Sequence, residues 1–192
     1  MSLITDLGDP DALRRFQAHR ELLRMGHDAV ESLCRVLKSN SGAVARRAAE
    51  ILADIDDPRC IPCLIEAAHT SDPILRQKVI IVLGGLSDER VLATLCDALH
   101  DKLELVRVSA AQALSKIGNK LAVDCLLDAL AGARGETFTF TIIEALGALD
   151  DPAAIPAIRQ HLDSSNYHIR TRAERALNRL EHFSDTTSDG LM

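Results

Sequence analysis

The sequence predicts an all-α protein: a right-handed α-α superhelix in which about five to six helical hairpins stack as a solenoid. An apolar pattern occurs five times, at successive intervals of 31, 31, 32 and 31 residues. Within each copy the apolar residues are three or four positions apart, and no sustained alternation indicates a strand. Repeats of this length are typical of solenoids, because one hairpin cannot bury its apolar face without its neighbours.

The second helix of each repeat is predicted from apolar residues that share one helix face. The interval of 32 residues reflects one additional residue in the loop 132–136. The predicted core positions of these helices are Val44, Ala48, Leu52 and Ile55, then Leu75, Val79, Leu83 and Leu86, then Val106, Ala110, Leu114 and Ile117, then Phe138, Ile142, Leu146 and Leu149, and last Ile169, Ala173, Leu177 and Leu180.

The first helix of each repeat shows the same spacing, and Arg159 interrupts it in the last repeat. The predicted core positions here are Val30, Leu33, Cys34 and Leu37, then Ile61, Leu64, Ile65 and Ala68, then Leu92, Leu95, Cys96 and Leu99, then Val123, Leu126, Leu127 and Leu130, and last Ile155, Ile158 and Leu162. A carboxylate or amide before a helix can accept hydrogen bonds from the free amides of its first turn. The predicted caps are Asp57, Asp72, Asp88, Asn119 and Asp151.

Charge and composition limit the function classes. The net charge of -6 argues against a nucleic-acid partner, because that affinity comes mainly from Lys and Arg at phosphates. The N-terminus has no basic segment or long apolar run, so we expect neither a signal peptide nor a membrane span. Five cysteines are an odd number with no visible disulfide framework, which favours a reduced, cytoplasmic location.

The cysteines are interpreted one at a time. Cys34 and Cys96 fall on the apolar face and are expected to be small core residues. Cys60 and Cys63 form a C-x-x-C, but no second pair completes a zinc site, so Cys60 is expected to be structural. Cys63 and Cys125 are expected to face solvent as free thiols.

The domain prediction is a single repeat solenoid over residues 1–183 and a disordered acidic tail over 184–192. The helix over 10–25 and the last helix are more charged than the middle repeats. Polar end units are expected of an entire small solenoid, because its terminal apolar faces need cover.

Two segments carry a resemblance to a known family. They are the helix from Leu105 to Leu114, LVRVSAAQAL, and the stretch from Gly147 to Pro156, GALDDPAAIP. Both resemble the HEAT-like repeats of the phycobilisome-lyase type, and the resemblance covers roughly residues 10–182. The family arginine near the start of the second helix is present as Arg76, Arg107 and Arg170, whereas Thr139 replaces it once. A polar tie between repeats that depends on this arginine should therefore be missing at Thr139.

The resemblance implies several kinds of function. Some members are subunits of enzymes that attach bilin chromophores to antenna proteins, and many are protein-binding scaffolds. Deoxyhypusine hydroxylases bind iron through His-Glu dipeptides, and this chain contains none, so that activity is rejected.

The resemblance also implies that the first helices line the concave face, which makes three outward rows readable. The first row is Arg35, Glu66, Asp97, Asp128 and Gln160; the second is Lys38, His69, His100, Ala131 and Asp163; the third is Ser32, Cys63, Thr94, Cys125 and Ala157. Carboxylates in three successive repeats would form an acidic stripe that attracts a basic protein segment. We expect the partner-binding residues to be Arg35, Cys63, Glu66, His69, Asp97, His100, Cys125 and Asp128.

Two smaller sites are also considered. Carboxylate-x-x-His pairs occur on adjacent helices as Glu66 with His69 and Asp97 with His100, and this spacing can place two metal ligands on one face. The competing interpretation is an ordinary solvated face, since Asp128 is followed by Ala131 rather than His. The other site is a possible second binding patch, formed by Val108 and Phe140 on an outward row beside the irregular loop.

The leading hypothesis is a non-enzymatic scaffold without a cofactor. The alternatives are an accessory or lyase subunit that acts on a chromophore-binding protein, and a metal-binding protein. The oligomeric state is not readable from the sequence.

Overall fold

The structure, a computed structural model, describes residues 2–39, 42–86 and 88–188. Within these ranges there are twelve α-helices and no strand, so the all-α prediction is confirmed. The helices are α1 Leu3–Asp6, α2 Ala12–Met25, α3 Val30–Ser39, α4 Ala43–Ile55, α5 Ile61–Ala67, α6 Pro73–Leu83, α7 Leu92–Ala98, α8 Glu104–Ile117, α9 Val123–Ala131, α10 Glu136–Ala148, α11 Ile155–Arg159 and α12 Tyr167–Ser188.

The predicted helix caps are all formed. Each cap side chain accepts a hydrogen bond from the backbone amide two residues later, at 2.9–3.0 Å. Asp72 caps α6 directly. The other four cap short 3-10 turns that lead into the first helix of a repeat: Pro58–Cys60, Glu89–Val91, Lys120–Ala122 and Pro152–Ala154. Proline fits such a turn because its missing N–H has no acceptor there.

Asp57 does more than cap a turn. It also binds the guanidinium of Arg59, and its Oδ2 lies 2.5 Å from Nδ1 of His27 in the preceding hairpin. Its side chain is only 4% exposed. These hydrogen bonds, first of all those from the Arg59 side chain, hold the pKa of Asp57 far below the ordinary Asp value. One carboxylate therefore joins two consecutive hairpins.

The chain divides into two compact units, Met1–Thr94 and Leu95–Met192. In the first unit α3 packs against both α4 and α5, and α4 also contacts α6. In the second unit α10 contacts α8, α9 and α12. Each unit is thus a stack of helical hairpins in which second helices contact second helices.

The predicted core is largely confirmed. Of the second-helix positions, only Val44, Ile55 and Ile117 are half-buried instead of buried. In the first helices Leu92, Ile155 and Leu162 are half-buried as well. The third position of each four-residue pattern in these helices is also half-buried: Cys34, Ile65, Cys96 and Leu127. This regularity means that the third position lies at the side of the helix and not on its core-facing surface.

Gly147 permits the closest helix approach in the second unit. A Cβ atom at this position of α10 would lie 2.7 Å from Cβ and 3.0 Å from Cα of Ala176 in α12. Such distances are shorter than packed side chains adopt, so a glycine is required.

The family arginine binds within its own repeat. Nη1 of Arg76, Arg107 and Arg170 donates to a backbone carbonyl six residues earlier, in the turn of the same hairpin, at 2.6–2.9 Å. At Thr139 the hydroxyl donates to the carbonyl of Gly135 instead, at 2.9 Å. The arginine therefore ties each second helix to its own preceding turn.

The last helix, α12, continues to Ser188. The predicted disordered tail over 184–192 overlaps its final five residues, and the remaining four lie outside the described residues. Among the helices of the described ranges, none has the length and apolar content that a membrane span needs.

Candidate functional site

Two of the three predicted outward rows are exposed to solvent. All five residues of the row that begins with Arg35, and all five of the row that begins with Lys38, are exposed. They lie on the first helices of the hairpins or at their C-terminal ends. The register predicted for these helices is confirmed at these ten positions.

Ion pairs connect the two rows within each unit. Nζ of Lys38 lies 2.5 Å from Glu66, one hairpin further along the chain. In the second unit, Nε2 of His100 lies 3.5 Å from Asp128. In both units, therefore, a residue of the second row pairs with a residue of the first row in the next hairpin. Both pairs are exposed, so they contribute little to stability. Lys38 neutralises Glu66, whereas His100 carries a charge only when it is protonated, so Asp128 keeps its negative charge beside the neutral imidazole.

The first helices of the two units differ in charge. In the first unit α3 carries Glu31, Arg35 and Lys38 and α5 carries Glu66, so these two helices sum to zero. In the second unit α7 and α9 carry Asp97, Asp124 and Asp128 and neither Lys nor Arg, which gives -3. All three aspartates are exposed. We call these three residues the acidic face.

The acidic face differs from the predicted stripe in two residues. Glu66 belongs to the balanced surface of the first unit, where Lys38 neutralises it. Asp124 was absent from the sequence prediction, although it stands four residues before Asp128. Positions i and i+4 of a helix share one side, so this spacing was the signal that could have identified it.

The third row is not exposed, and the prediction that Cys63 and Cys125 face solvent as free thiols is wrong. Cys63 is 6% exposed and Cys125 is half-buried. Each forms a disulfide bond with a half-buried cysteine 29 residues earlier: Cys34 with Cys63, and Cys96 with Cys125. The interpretation of Cys34 and Cys96 as simple core residues is therefore also wrong.

Lateral packing explains this error. Neighbouring first helices lie side by side, so the third position of one faces the third outward row of the next. The Cα atoms of the bonded cysteines are 5.6 Å and 5.7 Å apart, within the usual range. The cytoplasmic prediction depended on unpaired cysteines, and the two disulfides remove that argument. Cys60 alone is free, and burial raises the pKa of its thiol to about 11.

The carboxylate-histidine pairs do not assemble into a metal centre in the described part of the chain. No group of three or more His, Cys, Asp and Glu side chains there is placed to hold a metal ion. Glu66 is engaged by Lys38, and His100 reaches Asp128 instead of joining Asp97 in a ligand set. His69 is exposed at the end of α5.

The second patch does not form a surface. Val108 is buried, with 9% exposure, and the ring of Phe140 lies 4.6 Å from the guanidinium carbon of Arg172. The prediction that these two side chains form an outward apolar patch is wrong, because α10 packs against both α8 and α12.

A cleft of about 260 Å³ adjoins the acidic face. It lies where α7 and α9 end and α8 and α10 begin, and His100 lines it together with Leu99, Ala129 and Phe138. Arg107, whose guanidinium carbon is 5.0 Å from the Phe138 ring, and the exposed Arg134 also line it. The cleft therefore offers apolar contact beside the carboxylates.

Comparison with known proteins identifies the repeat. The family model of HEAT repeats matches residues 2–77 and 61–139, and the model of the PBS lyase HEAT-like repeat matches residues 140–164. No curated protein matches the chain in sequence.

Three solved structures of similar fold are distant in sequence from this chain. The complex of CpcE and CpcF of phycocyanin lyase from Nostoc sp. PCC7120 has a TM-score of 0.63 at 22% identity, covering 74% of this chain and 95% of that one. A designed armadillo repeat protein in complex with the peptide (KR)4 has a TM-score of 0.59 at 17% identity, covering 93% and 98%. An engineered protein has a TM-score of 0.59 at 18% identity, covering 94% and 96%. These likenesses establish a helical repeat solenoid. Since the HEAT repeat matches extend over residues 2–139, well over half of the chain, the protein belongs to the HEAT repeat family.

Proposed function

We propose that the protein is a non-enzymatic scaffold that holds a Lys- and Arg-rich segment of a protein partner on its acidic face. One observation carries the proposal: α7 and α9 expose three carboxylates and no Lys or Arg. The equivalent helices of the first unit are charge-balanced, so the acidic face is not a general property of the repeat.

Electrostatics gives this face its preference. A single exposed carboxylate binds a cation weakly in water. Three on two adjacent helices, held side by side by the Cys96–Cys125 bond, add their potentials and steer a cationic segment towards them. The interaction should weaken as salt increases, because exposed charges are screened within about 10 Å at 0.1 M ionic strength.

Two further points support a peptide as the ligand. The cleft beside His100 can receive an apolar side chain of the partner segment, because Leu99, Ala129 and Phe138 line it. The designed armadillo repeat protein of similar fold is in complex with (KR)4, a peptide of the charge proposed here. By the same charge argument, and with a net charge of -6, single-stranded DNA should not bind.

The test measures binding of a fluorescein-labelled (Lys-Arg)4 peptide by anisotropy. The variant Asp97→Asn, Asp124→Asn, Asp128→Asn should weaken binding about tenfold or more. The matched control is Glu89→Gln, Glu136→Gln, Glu174→Gln, which changes the net charge equally at exposed positions elsewhere. The control should bind within about twofold of the parent.

Two results would contradict the proposal. Equal weakening by both variants would mean that the peptide responds to net charge alone. No binding by the folded parent would remove the basic segment as the ligand. In that case the lyase-subunit alternative, which the PBS lyase HEAT-like match over 140–164 favours, would be examined by titrating a bilin and recording its absorption spectrum.

A further inference from the structure

The two disulfides occupy equivalent places in the two units. Each bond starts at the third apolar position of one first helix, Cys34 or Cys96. It ends in the third outward row of the next first helix, at Cys63 or Cys125, 29 residues later. The bonded pairs begin at Cys34 and Cys96, two repeats apart. Between α5 and α7 the equivalent two positions are occupied by Ile65 and Thr94 instead of cysteines. One cross-link in each unit, at the same place, indicates a shared role.

The reduced state of both pairs is accommodated by the same backbone. Sγ of Cys63 lies 3.1 Å from the carbonyl oxygen of Cys60, and Sγ of Cys125 lies 3.3 Å from that of Ala122. Both carbonyls are three residues earlier, in the 3-10 turn that leads into the helix. A thiol at either position would donate to this oxygen, so opening the disulfide leaves Cys63 and Cys125 each with a hydrogen-bond acceptor.

The two pairs differ in how accessible their cysteines are. In the first unit Cys34 is half-buried, whereas Cys63 is 6% exposed. In the second unit both cysteines are half-buried. In the first unit an external thiolate can therefore reach Cys34 more readily than Cys63. In the second unit exposure does not distinguish the two cysteines, and Cys125 is assigned as the departing sulfur because it has an acceptor carbonyl. The fifth cysteine, Cys60, is fully buried and cannot take part in the exchange.

We propose that Cys34–Cys63 and Cys96–Cys125 are thiol–disulfide exchange sites that open in the folded protein, the second faster than the first. A dithiol reductant attacks the Sγ of Cys34 or Cys96 as its thiolate and forms a mixed disulfide. Cys63 or Cys125 departs as a thiolate and takes a proton from water. The second thiolate of the reductant then closes its own disulfide and releases Cys34 or Cys96, so the protein gains two electrons and two protons.

The surrounding charges determine which reductants each site prefers. Cys96 and Cys125 are each next to a carboxylate of the acidic face, Asp97 and Asp124, whereas Cys34 is next to Arg35. A thiol reagent that carries an ammonium group is attracted to the second site, and one that carries carboxylates is repelled from it. The pair Cys96–Cys125 therefore favours neutral or cationic thiols.

The experiment follows each pair separately in the intact oxidised protein. Samples are quenched with N-ethylmaleimide during reduction, and the modified cysteines are located by peptide mass spectrometry. Dithiothreitol should release four thiols under native conditions, Cys96 and Cys125 first, and removal of the reductant in air should restore both bonds. The ratio of the rate at Cys96–Cys125 to that at Cys34–Cys63 should be several-fold higher with cysteamine than with glutathione, and the difference should shrink at 1 M salt.

Controls separate exchange from unfolding. Cys60→Ala should keep both rates, because it removes only the buried thiol. Reduced protein should retain its helical circular dichroism but melt roughly 5–15 °C lower. Disulfides that open only at the rate of global unfolding would overturn the proposal, as would four freely alkylated thiols in the air-oxidised protein.

One consequence for the acidic face rests on the proposed function. The Cys96–Cys125 bond holds α7 beside α9, so its reduction should weaken (Lys-Arg)4 binding by several-fold. Cys34→Ser, Cys63→Ser should leave that affinity unchanged. Because the alkylation assay does not use the peptide, failure of peptide binding would contradict the scaffold proposal and leave the exchange sites intact.

Discussion

The first helices of the two units are cross-linked in the same way but differ in their exposed charges. In both units a disulfide joins equivalent positions, and an ion pair connects the second row to the first row of the next hairpin. On α3 and α5 the exposed charges cancel, whereas α7 and α9 retain three carboxylates. The cross-linked positions are therefore repeated between the two units, whereas the exposed charges of the same helices differ. The surface that differs is where a binding function can be specific.

The largest expected effect tests whether the framework is shared. Leu83 in the first unit and Leu114 in the second are at equivalent positions, and both are fully buried. Replacing either with alanine should cost about 2–5 kcal/mol of unfolding free energy, from lost burial and the cavity left behind. Urea unfolding followed by circular dichroism measures both. Leu121→Ala, at a site 75% exposed, is the control, and an unchanged melting temperature for Leu114→Ala would show that the register of α8 is wrong.

A smaller cost is expected where the second unit departs from the repeat. Gly147 corresponds to Ala53 in α4, Gly84 after α6 and Ser115 in α8, so the repeat itself does not require glycine. Glycine is required here because Ala176 of α12 approaches this position of α10 closely. Gly147→Ala should destabilise by about 1–3 kcal/mol through overpacking, although alanine is the better helix former by about 1 kcal/mol.

The control for Gly147→Ala is Gly132→Ala. The φ angle of Gly132 is -96°, which other residues can adopt, and the nearest atom to an added Cβ is 4.0 Å away. This variant should be neutral or stabilising by up to about 1 kcal/mol. A stable Gly147→Ala protein in thermal unfolding would show that α10 and α12 are further apart than described.

Converting the first unit to the charge pattern of the second would sharpen the comparison, and this prediction rests on the proposed function. Arg35→Asp with Lys38→His gives the first row an aspartate and the second row a histidine, as in Asp97 and His100. The affinity for (Lys-Arg)4 should rise about threefold to tenfold in the anisotropy assay. Arg175→Asp with Lys116→His makes the same chemical changes at exposed positions elsewhere. An equal rise for that control would show that position does not matter.

The smallest effect concerns acid. Asp88 in the first unit and Asn119 in the second cap equivalent turns. Hydrogen bonds from Arg90 lower the pKa of Asp88 to about 2 from an ordinary 3.8. The stability that this carboxylate contributes is therefore fully present above pH 3.8 and is lost as the pH falls towards 2. Asn119 cannot titrate.

Asp88→Asn makes the first unit resemble the second in this respect. It should lower the melting temperature slightly at neutral pH, through loss of the Arg90 ion pair, and reduce the further decrease between about pH 4 and pH 2. Differential scanning calorimetry across this range gives both quantities. A variant with the same acid sensitivity as the parent would mean that other carboxylates, such as Asp57, account for the whole effect.

The sequence predicts the fold well because helix periodicity and caps are local. Apolar residues spaced three or four apart, or an aspartate before a turn, identify a helix and its start without knowledge of the neighbouring helices. The rows of Arg35 and Lys38 are predicted correctly for the same reason, since they lie opposite the core. The row of Cys63 is not, because its environment is a neighbouring helix 29 residues away.

The candidate site is only partly readable from sequence for a related reason. Whether Glu66 is a free carboxylate depends on Lys38, which belongs to the preceding hairpin. Alignment of the repeats places these residues in different rows but does not show that their side chains meet. The recurring spacing of the cysteine pairs was a usable signal: Cys34 to Cys63 and Cys96 to Cys125 are both 29 residues apart.

The cross-links also determine how the chain responds to tension. A pulling force applied to the two ends is carried through each disulfide, so the segment between the bonded cysteines is shielded from extension. Each bond spans 29 residues, which correspond to roughly 100 Å of stretched chain. In single-molecule stretching, the oxidised protein should therefore reach a contour length shorter by roughly 200 Å than the reduced one, and release of either bond under load should appear as a separate step.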